Sequence, residues 1–96
     1  MPQVVMYTTA VCPYCVRAKM LLQRKGVDFE ERRIDGSREL MREMLERSQR
    51  RTVPQIFIDD YHVGGFDDLA ELDMEGKLDG LLGVTESAAA DGAEEV

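Results

Sequence analysis

The spacing of apolar positions changes along the chain, and each change predicts an element. VVMYT at 4–8 is a short apolar run rich in strand formers, which reads as a buried strand. From Pro13 the period lengthens. Cys15, Ala18, Leu21 and Leu22 recur at helical spacing, Pro13 suits the first turn where its missing N–H costs nothing, and Gly26 is a stop signal. VDFEERRI at 27–34 alternates weakly and reads as a second strand. Ser37 is placed to cap a helix, Glu39 lies in its first turn near the positive end of the dipole, and Leu40, Met41, Met44 and Leu45 mark its buried face. QIFID (55–59) and YHVG (61–64) are strand-like and nearly contiguous, so they form a hairpin turning around Asp59 and Asp60. Gly64 and Gly65 break the chain. DDLAELDMEGK then begins a helix with acids at its start and Leu69 and Leu72 facing inward, and LDGLL adds a short last turn. The predicted order is β-α-β-α-β-β-α, an α/β layout with one sheet and helices over its faces. No internal repeat or second domain is visible.

Composition narrows this picture. Ninety-six residues make one small domain, and 44% hydrophobic with 32% charged residues suits a soluble one. No apolar run reaches membrane-spanning length. The start, MPQVVMYTTA, has neither a basic region nor an apolar core of the secretory kind. The net charge of −7 argues against nucleic acid as the main partner and for a monomer. Residues 59–83 hold eight Asp/Glu and one Lys, which reads as a solvated helix face. VTESAAADGAEEV at 84–96 is small and acidic and lacks a periodic apolar face. It is expected to be a disordered tail behind a domain spanning 1–83.

Both cysteines of the chain lie in CPYC, residues 12–15. With no visible secretory signal, such a pair points to redox or metal chemistry in a reducing cytoplasm. If strand 4–8 feeds a helix starting near Pro13, Cys12 lies at the helix N-terminus, among unpaired N–H groups and the positive dipole end. Pro13 cannot donate, so the amides of Tyr14 and Cys15 are the expected donors to the Cys12 sulfur. Each favours thiolate, the form that attacks disulfides. Cys15, almost one turn on and less exposed, becomes the resolving thiol. A buried cysteine is more often a small apolar filler, but a CPYC pair at a strand-to-helix junction does not fit that role. A closed zinc site needs four ligands, and CPYC with the single His62 leaves it one short. A lone strand histidine is usually a surface residue.

Two further stretches carry a signal. Val53-Pro54 opens a strand, where proline's missing N–H does no harm, and it permits a cis bond that turns the Val53 backbone toward a neighbour. GGFDDL at 64–69 places two glycines and then acids at a helix start, where free amides can bind a carboxylate.

CPYC at 12–15, TVPQIFI at 52–58 and GGFDDL at 64–69 together resemble the glutaredoxin family, in order and spacing from residue 3 to about 83. The resemblance is to the small bacterial dithiol members. It implies a thioredoxin-like fold, with a four-stranded mixed sheet, flanking helices and a cis Pro54. It also implies a glutathione site. Val53 would pair its backbone with the cysteinyl part, as in a short strand addition. The amides of Phe66 and Asp67, behind Gly65, would take the γ-glutamyl end, with Tyr14, Thr52 and Pro54 along the groove. Many members carry lysine where this chain has Thr9, so Arg47, Arg50 or Arg51 is left to meet the glycyl carboxylate. The implied activity is glutathione-dependent thiol–disulfide exchange on glutathionylated or disulfide-containing proteins. Cys12 attacks, Cys15 resolves, and glutathione serves as co-substrate with no bound cofactor or metal. The alternatives are a redoxin fed by thioredoxin reductase, a glutathione-ligated iron–sulfur carrier, which the second cysteine disfavours, and a non-catalytic adaptor of the same fold.

Overall fold

The structure, a computed structural model, describes residues 2–84. The expected tail at 84–96 lies outside it except for Val84, which packs against the core. The strands are β1 (Val4–Thr8), β2 (Glu30–Arg33), β3 (Gln55–Ile58) and β4 (Tyr61–Gly64). The helices are α1 (Pro13–Arg24), α2 (Arg38–Ser48), α3 (Phe66–Met74) and α4 (Leu78–Leu82). They follow the predicted order, with LDGLL as α4.

The sheet order is β2-β1-β3-β4, with β1 parallel to β2 and the other pairs antiparallel. A parallel pair needs a crossover, and α1 supplies it between β1 and β2. All five residues of β1 are buried, because it is central and covered on both faces. The pleat sends Val4 and Met6 into a core shared with Ala18, Leu21 and Leu22 of α1, Leu69 of α3, and Leu78 and Leu82 of α4. Val5 and Tyr7 point the other way, to Ile34, Phe57 and Met44 of α2. Thus α1, α3 and α4 cover one face and α2 the other. Among the described residues, no helix is long and apolar enough to cross a membrane.

Two local expectations change. The second strand begins at Glu30 rather than Val27, since Val27 drops into the core directly after Gly26 (φ +75°). What remains, EERR, is a charged edge strand paired only with β1. On α2 the buried face is narrower than expected. Met44 and Ser48 are buried, Leu40 and Leu45 are half-buried, and Met41 is 38% exposed. One helix over a small cluster leaves the flanks of its apolar stripe in water. Ser48 is tolerated because its hydroxyl donates to the Met44 carbonyl (2.7 Å) and accepts from the Arg50 amide (3.0 Å).

Candidate active site

Cys12 is the N-cap of α1, in extended conformation, and the Cys15 amide donates to its Sγ at 3.1 Å. The expectation named Tyr14 as a second donor; among the described residues the Cys15 amide is the one that donates to the sulfur. The position follows from the sequence around it. β1 ends at Thr8, three residues cross the edge of the sheet, and Pro13 starts the helix at N1. The crossing is tied down from β2's end, where the Asp35 carboxylate accepts from the Ala10 amide (3.0 Å) and pairs with Arg33 (2.8 Å). The Arg33 guanidinium, then the Ala10 amide, holds the Asp35 carboxyl down at about 2. Cys12 and Cys15 are joined as a disulfide, with Cα atoms 5.2 Å apart. Cys15 is buried at 1% exposure, while Cys12 is half-buried and reachable from solvent. The asymmetry expected of the pair is therefore built into the helix, with the outer sulfur at the cap and the inner one on the core face.

Cys12 Sγ lies 3.8 Å from the Val53 carbonyl oxygen, across a gap that opens into a cleft of about 270 Å³. One wall is Thr52, Val53 and Pro54, with the Val53–Pro54 bond cis. The opposite wall is Gly65, Phe66 and Asp67 at the start of α3. Tyr14 closes the mouth, its ring stacked on Phe66 at 6.3 Å between centroids. All seven residues expected to form a groove beside Cys12 thus line one cleft. The Val53 amide has no protein partner among the described residues. The Phe66 and Asp67 amides lie in the first turn of α3, ahead of any intrahelical acceptor.

Arg50, one of the three candidate arginines, and Asp68, which the sequence reading did not single out, complete the lining. Of the three candidate arginines only Arg50 reaches the cleft, where it lies 3.4 Å from Asp68. Arg47 turns under the sheet, its guanidinium 4.0 Å over the Phe57 ring and donating to the Tyr7 hydroxyl at 3.0 Å. Arg51 is exposed and outside the lining. The Asp68 carboxylate accepts from the Gly65 amide at 3.0 Å. An acid three residues past a helix N-cap was the signal for that contact. The position of Gly64 (φ +114°) suits glycine on two counts, since side-chain-bearing residues rarely adopt that backbone and a Cβ there would come within 2.3 Å of that carboxylate oxygen.

His62 corrects an expectation. It is half-buried rather than a surface residue, with Nε2 2.7 Å from Gln55 Oε1. Burial, then the positive charge of Arg50, holds its pKa below the ordinary histidine value.

A sequence model of the family described as Glutaredoxin matches residues 4–63. The chain belongs to the glutaredoxin family. A glutaredoxin of Pseudomonas aeruginosa is 61% identical over 82 residues, spanning 85% of this chain and 98% of that one. The solution structure of a glutaredoxin from Brucella melitensis superposes with a TM-score of 0.77 at 55% identity, covering 90% of this chain and 94% of that one. The crystal structure of a buckwheat glutaredoxin–glutathione complex superposes with a TM-score of 0.78 at 28% identity, covering 95% and 83%. The fold is accordingly thioredoxin-like, as expected. Glutaredoxins are thiol–disulfide oxidoreductases, and this one is a glutathione-dependent thiol–disulfide oxidoreductase.

Proposed function

We propose that Cys12 is the attacking sulfur of this glutaredoxin and that the adjoining cleft holds the glutathione moiety of its substrates. The observation that carries the reading is the 3.8 Å approach of Cys12 Sγ to Val53, which puts the sulfur at the open end of a groove lined by unpaired backbone donors. Glutathione is an extended tripeptide with a carboxylate at each end. Its cysteinyl amide and carbonyl match the free edge at Val53. Its γ-glutamyl carboxylate matches the Phe66 and Asp67 amides, where the dipole of α3 also favours an anion. The Asp67 carboxylate, also in the lining, matches the neighbouring ammonium in charge. Arg50, which lies beside Asp68 at the α3 end of the cleft, supplies a cation for a ligand carboxylate there. The buckwheat relative's complex with glutathione supports a ligand of this class.

In the reduced enzyme, the amide of Cys15 and the N-terminus of α1 stabilise negative charge on Cys12 Sγ. The Cys12 thiolate attacks the glutathione sulfur of a protein–glutathione mixed disulfide. The S–S bond breaks, the protein leaves as thiolate and takes a proton, and Cys12 is left bonded to glutathione. A second glutathione thiolate attacks that glutathione sulfur, giving oxidised glutathione and free Cys12. With a protein disulfide, Cys12 forms a mixed disulfide with the target and Cys15 displaces it. This closes the Cys12–Cys15 bond, and two glutathiones reduce that bond in turn. We place the reaction in a reducing cytoplasm and in a monomer.

The test is a coupled assay with a glutathione mixed disulfide, glutathione, glutathione reductase and NADPH, repeated with thioredoxin reductase in place of the glutathione components. Turnover in the first arm alone is expected. Turnover only in the second assigns the protein to the other electron source.

A further inference from the structure

Gln55 is fully buried, yet it carries an amide that needs partners on both ends. Its Nε2 donates to the Thr52 carbonyl at 3.0 Å and lies 3.2 Å from the Thr52 hydroxyl. A carbonyl oxygen can only accept, so the NH₂ end must face Thr52, and the amide orientation follows from the network. Oε1 is then turned to His62, 2.7 Å from Nε2, so Nε2 is the ring nitrogen that carries the proton. The imidazole is itself held flat against the Phe57 ring at 4.7 Å between centroids. His62 and Gln55 sit on the two strands of the hairpin, and Thr52 on the segment between α2 and β3.

That segment, from Gln49 to Pro54, has no ladder partner among the described residues. Side chains hold it instead, Ser48 at Arg50 and Gln55 at Thr52. Thr52 and Val53 are the cleft wall nearest Cys12. His62 does not line the cleft, and its Nε2–H satisfies the Gln55 Oε1 that faces away from Thr52.

We propose that His62 is a positioning residue of the reaction. Through Gln55 it locks the Thr52–Val53 wall in the form that offers the Val53 backbone to glutathione. The inference rests on the reading of that wall as part of the glutathione site. Loss of the His62 donor leaves Gln55 Oε1 buried and unpaired, which draws the side chain away toward another donor and loosens its hold on Thr52. The wall then has to be ordered by each incoming ligand, which weakens ligand binding and leaves the chemistry at Cys12 untouched.

Two variants separate the hydrogen bond from packing. His62→Gln keeps a side-chain N–H but loses the ring stack on Phe57, whereas His62→Phe keeps the stack and loses the donor. With a glutathione mixed disulfide as substrate, His62→Phe is expected to raise KM about fivefold with kcat unchanged, the size of one lost buried hydrogen bond. His62→Gln is expected to stay near wild type. In parallel, the position and width of the Val53 amide signal and the side-chain NH₂ signals of Gln55 read the clamp without any turnover. A shifted, broadened Val53 amide signal and collapsed Gln55 signals in His62→Phe alone are the expected result. The proposal is overturned if the two variants behave alike, if kcat rather than KM falls, or if the Gln55 and Val53 signals do not respond. A wild-type enzyme inactive with glutathione, but with the Gln55 and Val53 signals responding as described, sinks the functional reading and leaves the clamp standing.

Discussion

Replacing Gly64 by alanine tests how the α3 end of the cleft is built. Gly64 has φ +114°, and an alanine Cβ there would meet the Asp68 carboxylate oxygen at 2.3 Å and its carbon at 2.9 Å. Two penalties arise. An L-residue at this φ costs about 1–2 kcal/mol of backbone strain. Asp68 must also withdraw, and it gives up its 3.0 Å bond from the Gly65 amide, a charged acceptor worth about 1–2 kcal/mol in this partly exposed setting. The Arg50–Asp68 pair at 3.4 Å, with both side chains about half exposed, adds little. Together Gly64→Ala should destabilise by about 2–4 kcal/mol, a large part of a small domain's stability. Urea unfolding of the reduced protein, followed by far-ultraviolet circular dichroism, reads this as a drop in midpoint. The drop is about 2–4 M for a slope of about 1 kcal/mol/M. The decisive comparison is the same substitution in an Asp68→Ala background. There the clash and the hydrogen bond are already gone, so only about 1–2 kcal/mol of strain remains. Equal costs in the two backgrounds would refute the claim that Asp68 is what forbids a side chain at residue 64.

Cys12→Ser should abolish reduction of both glutathione mixed disulfides and protein disulfides. Cys15→Ser should keep the first and lose the second, as two-substrate steady-state assays will read. Arg50→Met should raise KM for a glutathione mixed disulfide by about tenfold, the loss of a charge-assisted contact, while Arg51→Met leaves it near wild type. Added salt should narrow that gap. Asp35 is held at about 2, below its ordinary 3.8, so its contribution is full above pH 4 and is lost as the pH falls from about 4 toward 2. Ala10 amide protection in the wild type should fall across that window. Asp35→Asn should differ from wild type at pH 6 and match it near pH 2, so a constant difference between them at every pH would contradict the assignment.

The sequence by itself determined every element and its order, because the signals that write them are local. A proline at N1, a serine cap at Ser37 and a period of 3.6 or 2 act within a turn or a strand. The position of Cys12 was legible for the same reason, since its sulfur, its cap position and the Cys15 amide lie within four residues. The walls of the cleft were legible only through the resemblance, because Val53 and Phe66 are brought to Cys12 by the sheet and not by the chain. What tertiary structure alone decided is which of several equivalent side chains arrives where. Nothing in RSQRRT distinguishes Arg50 from Arg47 and Arg51. The left-handed Gln49 (φ 61°) ending α2, and the aromatic surface of Tyr7 and Phe57 that claims Arg47, make the choice. Met41 kept an apolar identity yet faces water, because a single helix over a small cluster covers less than its own stripe. His62 looked like an isolated polar strand residue because its partner Gln55 sits across the hairpin. Local patterns specify backbone conformation over a few residues, while the pairing of side chains distant in sequence is set only when the packed core fixes the distance between them.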